Sequence, residues 1–138
     1  MNPEKPGNIR WIASVDLETS PVSKKMEDSG TRTTTPSGMQ YEPKPDGSGR
    51  FDLIPPEPIK RLAVWYELGA KKYADNNWKK GQEWSLCLNS LERHLNKWKS
   101  GSKTEDHLAA VAWRAFTLMY YEIYHPEMCD IVERKRKT

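Results

Sequence analysis

The sequence predicts an all-α fold, a helical bundle that carries an extended N-terminal arm. Apolar residues recur at helical spacing in three segments between residues 58 and 124, and proline or glycine stands near the segment ends. Only 36% of the 138 residues are hydrophobic, and the mean hydropathy is −0.87. Three amphipathic helices with so little apolar material cannot bury all their apolar faces alone. We therefore expect the bundle to be completed by oligomerisation.

The first 50 residues form the predicted arm. They are poor in aliphatic residues and rich in Pro, Gly, Ser and Thr, so they cannot bury enough surface to offset their ordering entropy. We expect a mostly irregular segment with room for one hairpin and a short strand within "IRWIASVDL". Residues 51–130 form the predicted helical domain, and residues 131–138 form a basic tail.

The first helix is predicted over residues 58–73, because Pro58 suits a first helical turn and six residues share one face. Gly69 inside it predicts a close approach by another backbone. The second helix, over residues 84–98, ends before a glycine. Its apolar stripe consists of Trp84, Leu88, Leu91, Leu95 and Trp98.

The third helix is predicted over residues 103–124, before Pro126. Ser102 and Glu105 match a capping box at its start. Its inward face is predicted to consist of Leu108, Val111, Ala112, Ala115, Leu118 and Met119.

Charge and cysteine content do not favour a nucleic-acid-binding protein or a protein with a cysteine metal motif. The net charge of +3 results from 22 basic and 19 acidic residues, a balance that does not favour stable nucleic-acid binding. Cys87 and Cys129 lack the spacing of a metal motif. No signal peptide and no run of about 18 apolar residues is present, so we expect a cytoplasmic protein without a membrane segment.

Ionisable residues near the apolar faces are the candidate functional groups. Glu92 and His94 flank the stripe of the second helix, where groups are half-buried and can hold ligands, although local hydrogen bonds explain each of them as well. Asp106 falls in the first turn of the third helix. Glu122 either lies on the core face of that helix, as a buried acid, or is exposed where the bundle frays.

Carboxylates that line a helical core are typical of sites for divalent cations. Basic residues suited to phosphate oxygens lie in the same segments, although solubility explains any single lysine equally well. These residues are Lys71, Lys72, Lys79, Lys80, Arg93 and Arg114. Together the acids and bases suggest metal-assisted phosphoryl chemistry on a nucleotide. The chain contains no P-loop, no GxGxxG motif and no G-x-S-x-G motif.

Three segments resemble a known family in the order in which they occur. "FDLIPPEPIKRLAVWYELGAKKYADNNWKKG", "LERHLNKWKSG" and "EDHLAAVAWRAFTLMYYE", within residues 51–122, are similar to phage dATP/dGTP diphosphohydrolases of the MazZ type. These are relatives of the MazG and HisE all-α NTP pyrophosphohydrolases. The resemblance implies a MazG-like bundle that hydrolyses dGTP or dATP to the monophosphate and pyrophosphate, as a dimer or tetramer. In some phages the dGMP supplies synthesis of 2-aminoadenine for DNA.

The resemblance also implies two or three Mg²⁺ or Mn²⁺ ions held by carboxylates. Relatives show E-E-x-x-E followed by E-x-x-D, which this sequence lacks literally: Asp106 stands at the last position, but Lys103 replaces the acid before it. By this resemblance Glu92 and Asp106 are the catalytic candidates, and the candidate metal ligands are Glu92, Asp106 and one or both of Glu105 and Glu122. The substrate-binding candidates are Lys71, Lys72, Tyr73, Trp78, Lys79, Arg93, His94 and Arg114.

Two other functions remain open at this point. A non-catalytic nucleotide sensor or DNA-associated adaptor would bind without turnover, and a different phosphohydrolase would release triphosphate or single phosphates. The products distinguish these alternatives from a diphosphohydrolase.

Overall fold

The computed structural model describes residues 26–137, which fall into two units, residues 26–54 and residues 55–137. The strand predicted within residues 9–17 lies outside the described residues. In the described part of the chain no helix is long and apolar enough to span a bilayer.

The smaller unit contains one hairpin, in agreement with the prediction for the arm. Strands β1 (Thr33–Thr34) and β2 (Gln40–Tyr41) pair antiparallel, with Thr33 opposite Tyr41. Beside them the Arg32 guanidinium contacts Asp28 at 2.8 Å and Glu42 at 3.1 Å. Its hydrogen bond to Asp28 lowers the pKa of that carboxyl to about 2. A 3₁₀ turn at Phe51–Leu53 follows.

All the secondary-structure elements of the larger unit within the described residues are helices, which confirms the all-α prediction. Its helices are α1 (Pro56–Lys72), α2 (Trp84–Lys99), α3 (His107–Tyr124) and α4 (Val132–Lys135). Two 3₁₀ turns lie at Asn77–Lys80 and Pro126–Met128. Helix α4 occupies four of the eight residues predicted as a basic tail.

Helices α2 and α3 form the central pair and are joined by a short loop. Gly101, at φ +85°, ends α2: its N–H donates to Trp98 O and the Ser102 N–H donates to Lys97 O, both at 3.0 Å. This is the Schellman arrangement, which requires the left-handed conformation that glycine adopts readily. Small residues at the interface, such as Cys87, Ser90 and Ala110, are buried and let the two helices approach closely.

The face that α3 buries differs from the predicted one. Buried residues on α3 are His107, Ala109, Ala110, Thr117 and Tyr121, whereas Met119 of the predicted face is 52% exposed. The prediction was wrong because α3 is apolar around most of its circumference, so spacing alone does not select one stripe. Exposed Phe116 and Ile123 lie near Met119 on the opposite side of the helix.

The surroundings of Gly69 also differ from the predicted close approach by another backbone. A Cβ atom built at Gly69 would meet nothing within 4 Å, so no other backbone approaches it in the described part of the chain. The glycine instead borders open space beside α1.

The C-terminal end of α3 holds the turn between α1 and α2. The Tyr121 hydroxyl donates to Trp78 O at 2.6 Å. His125 is fully buried, and its Nε2 lies 2.8 Å from Lys79 O, so Nε2 carries the proton because a carbonyl oxygen only accepts. Trp84 Nε1 donates to His125 O at 3.1 Å. These hydrogen bonds fix the turn against α3.

Candidate active site

A basic cavity of about 670 Å³ opens between α1, α2 and the start of α3. Six cationic side chains line it, and many of its other lining residues are apolar or aromatic. The cations are Lys60, Arg61, Lys72, Arg93, Lys97 and Arg114. An arrangement with this excess of positive charge suits a ligand with several negative charges, such as a polyphosphate.

The basic cavity brings together seven of the residues singled out from the sequence. They come from all three long helices and from the loop before α3. The seven are Lys72, Tyr73, Arg93, His94, Glu105, Asp106 and Arg114. Residues 94 and 105 therefore become neighbours through the α2–α3 connection, while α1 closes the opposite side.

An aromatic cavity of about 560 Å³ adjoins the basic cavity. Its lining combines flat rings with amide side chains, which suits a heteroaromatic base. The rings and amides belong to Tyr66, Tyr73, Trp78, Trp113, Tyr121, Asn76, Asn77 and Gln82. Trp78, predicted as a substrate-binding residue, stands edge-on to Tyr66 with ring centroids 6.0 Å apart and to Tyr120 at 5.0 Å.

Four residues line both cavities and form a shared wall: Gly69, Tyr73, Trp113 and Arg114. The Arg114 guanidinium lies over the Trp113 ring, 4.4 Å from its centroid. Trp113 Nε1 is buried, and within the described residues no acceptor lies at hydrogen-bonding distance from it. A buried donor without an acceptor is costly unless a ligand or water satisfies it.

Asp106 has two structural partners at the edge of the basic cavity. Its carboxylate accepts from Arg61 Nε at 2.9 Å and Nη2 at 2.6 Å, and from the Ala109 N–H at 3.1 Å. The hydrogen bond from Arg61 lowers the pKa of Asp106. Asp106 is therefore the N-cap of α3, and the predicted capping box was wrong: the helix begins at His107, and Ser102 belongs to the loop.

Two histidines and a glutamate form a cluster beside the cavity. His94 Nδ1 lies 3.1 Å from His107 Nδ1 and 3.9 Å from Glu105 Oε2. His107 is 2% exposed, and its Nε2 faces the hydroxyls of Ser102 at 3.0 Å and Thr104 at 3.3 Å. Burial lowers the pKa of His94 and so favours its neutral form. In the described part of the chain this cluster can hold a metal ion.

The remaining predicted site residues lie elsewhere. Glu92 is exposed on α2, and Glu122 is half-exposed and paired with Arg134 at 3.3 Å, so it sees solvent rather than the core. Lys71 pairs with Glu67 at 3.8 Å. None of these three predicted residues lines either cavity. Lys79 lies over the Trp78 ring at 5.5 Å, and burial lowers its pKa.

His107 and Arg61 were not predicted as site residues. The sequence contains a signal for His107 but not for the role of Arg61. His94 lies one and a half turns before the end of α2 and His107 begins α3, so a short connection brings them together. Arg61 follows Pro58 by three residues on the face of α1 that meets the start of α3, but only the fold shows that face.

A small all-α protein with a basic cavity beside an aromatic one belongs to the class suited to binding nucleotides. Residues 40–131 match the family described as dATP/dGTP diphosphohydrolase, N-terminal. The chain belongs to this family, whose members are pyrophosphohydrolases that act on deoxynucleoside triphosphates. No curated protein and no solved structure shows significant similarity to the chain.

Proposed function

We propose that this chain hydrolyses dGTP or dATP between the α- and β-phosphates, with the triphosphate in the basic cavity and the purine in the aromatic cavity. The observation that carries the proposal is the wall shared by the two cavities. Arg114 faces both, so one nucleotide can place its base on the rings and its phosphates among the cations.

The charges of the basic cavity support this orientation. Hydrolysis that releases pyrophosphate builds negative charge on the leaving group, and preorganised cations stabilise that charge in the transition state. Arg93 and Lys97, one turn apart on α2, face the same cavity as Arg114 and Lys72. Trp113 Nε1 supplies a donor that a phosphate or base oxygen would satisfy.

We propose that the reaction depends on Mg²⁺ or Mn²⁺, with the triphosphate bringing the ion into the cavity. The four carboxylates implied by the resemblance do not fit a multi-ion site within one chain. Glu92 and Glu122 lie outside both cavities, and Arg61 occupies both oxygens of Asp106. Glu105 lines the cavity and is half-exposed, so it is the carboxylate best placed to contact such an ion. Two or three ions stay a prediction.

We also propose a homo-oligomer, a dimer or tetramer, in the cytoplasm of a phage-infected host, where dGMP would supply 2-aminoadenine synthesis. Support for oligomerisation comes from α3, where Phe116, Met119 and Ile123 are 43%, 52% and 69% exposed on one side. Light scattering should give the mass of a dimer or tetramer, and Met119→Lys should reduce it. A monomeric wild type at micromolar concentration would refute this part of the proposal.

The central experiment is a product assay. Each of the four dNTPs is incubated with Mg²⁺, with Mn²⁺ or with a chelator, and the products are separated by chromatography. We expect dGMP or dAMP with pyrophosphate, and none with the chelator. Triphosphate or single phosphates would show a different phosphohydrolase, and binding without turnover would show a nucleotide sensor.

A further inference from the structure

We propose that His94, His107 and Glu105 form a binding site for one late first-row transition ion of the zinc class; its ligands differ from those of the Mg²⁺ or Mn²⁺ that accompanies the nucleotide, and Glu105 is the one residue that the two sites share. Imidazole nitrogens with one carboxylate prefer such ions, whereas Mg²⁺ prefers oxygen ligands. One ring nitrogen of each histidine and a carboxylate oxygen of Glu105 all lie within 4.8 Å of one another.

The spacing of the two imidazoles suits a shared ion. Two nitrogens bound to zinc at about 2.0 to 2.1 Å in a tetrahedron stand about 3.3 Å apart. The two Nδ1 atoms are 3.1 Å apart. Glu105 Oε2 lies 3.9 Å from His94 Nδ1, which is too far for a hydrogen bond. A shift of less than 1 Å would bring this oxygen to about 3.3 Å from His94 Nδ1, the spacing of two ligands on one zinc ion.

The surroundings of His107 orient its ring for this role. When Nε2 carries the proton, it donates to Ser102 Oγ at 3.0 Å, which leaves the Nδ1 lone pair facing His94. Metal-binding histidines generally donate their second ring N–H in this way. Without an ion, one proton must lie between the two Nδ1 atoms; an ion replaces that proton and satisfies both lone pairs.

The position of the site determines how it would meet other ligands. His94 and Glu105 line the basic cavity, whereas His107 lies behind them and is fully buried. Three protein ligands leave the fourth tetrahedral position open, as in zinc sites that exchange a ligand. That open position would be accessible from the side of Glu105, whose side chain is 51% exposed.

The test measures metal binding without nucleotide. Protein treated with a chelator is titrated with Zn²⁺ in a calorimeter and, separately, with Co²⁺, whose visible absorption reports coordination by nitrogen. We expect one Zn²⁺ per chain and a Co²⁺ spectrum of tetrahedral intensity. Glu105→Gln and His94→Gln should each weaken Zn²⁺ binding by more than about 100-fold, and Ser102→Ala by about 10-fold.

Glu92→Gln is the matched control, because Glu92 is an exposed glutamate on the same helix as His94 and lies outside the cluster. It should bind Zn²⁺ as the wild type does, and circular dichroism should show that every variant is folded. Zn²⁺ binding that is lost in Glu92→Gln but kept in Glu105→Gln would overturn the proposal, as would the lack of a tight site in the wild type. Because no turnover is measured, either result leaves the proposed hydrolysis to its own product assay.

Discussion

The two adjoining cavities are built in different ways. The basic cavity has six long cationic side chains in its lining, and one of them, Arg61, is 59% exposed and pairs with Asp106. The aromatic cavity is lined by rings that contact one another edge to face, and hydrogen bonds from the buried side chains of Tyr121 and His125 hold the Asn77–Lys80 turn beside it. One cavity has adaptable charge, and the other has a fixed shape.

Because of this difference, we expect the basic cavity to contribute mainly to affinity for the triphosphate and the aromatic cavity to contribute mainly to specificity for the base. Flexible cations can follow a triphosphate through the changes of charge and geometry that accompany hydrolysis. A fixed aromatic wall discriminates by shape and by hydrogen bonds that must be met. We therefore expect substitutions in the basic cavity to change activity with little effect on stability, and substitutions behind the aromatic cavity to change stability.

Arg114 belongs to both cavities and should give the largest effect. Arg114→Ala removes a charge-assisted contact to phosphate, so kcat/KM for dGTP or dATP should fall by about 100-fold, equivalent to about 2.7 kcal/mol. Steady-state kinetics of the pyrophosphate released measures it.

Arg134→Ala is the matched control for Arg114→Ala. Arg134 also lies over a tryptophan ring, that of Trp84, at 5.7 Å, but it lines neither cavity. Equal losses in the two variants would show that the basic cavity does not bind the phosphates.

Tyr121→Phe tests the fixed wall. It leaves the carbonyl of Trp78 without its donor at a part-buried position, so the free energy of unfolding should fall by about 1 kcal/mol. Urea denaturation measures it. Tyr73→Phe is the comparison, since Tyr73 is 62% exposed. This variant should unfold at the same urea concentration as the wild type. An unchanged midpoint for Tyr121→Phe would remove the distinction between the cavities.

Two neighbouring lysines sharpen the boundary of the basic cavity. Lys72 lines it, whereas Lys71 lies outside and pairs with Glu67. Lys72→Ala should raise KM by about 3- to 10-fold, the effect of one exposed charge contact of about 1 kcal/mol, and Lys71→Ala should not change KM. A raised KM for Lys71→Ala together with an unchanged KM for Lys72→Ala would place the triphosphate on the other side of α1.

Asp130 gives the smallest expected effect and depends on pH. Its carboxylate accepts from the N–H and hydroxyl of Ser85 at the start of α2, next to Trp84, and these hydrogen bonds lower its pKa below 3.8. A lowered pKa stabilises the fold above pH 3.8, and this contribution is lost as the pH falls through the folded value. Asp130→Asn should therefore lower Tm by a few degrees at pH 7, and the difference should shrink below pH 3.8. A difference independent of pH would refute the role of the charge.

Spacing predicted the three long helices because a helical period and its end signals are local properties. It did not predict which face of α3 is buried, since that depends on the neighbours, and α3 offers apolar residues on most sides. The same limit applies to Glu122, whose exposure follows from that choice of face.

The candidate site was predicted in part. Residue type and position indicated the cations Lys72, Arg93 and Arg114 and the neighbouring His94, because short connections bring three adjacent helices together. Arg61 and His107 were missed because their roles depend on one turn, the loop before α3, whose conformation is set by Gly101 and by the Asp106 cap.

Gly69 has a consequence for how such a site can change its substrate. Within a helix an alanine is more favourable than glycine by about 1 kcal/mol, and at position 69 its methyl group would meet no atom within 4 Å. Gly69 lies on the wall that the two cavities share, and the sugar of a nucleotide bound in the proposed orientation would lie beside this wall. A larger side chain at position 69 would extend into this space, so varying its size is a direct way to test whether the site selects among sugars here.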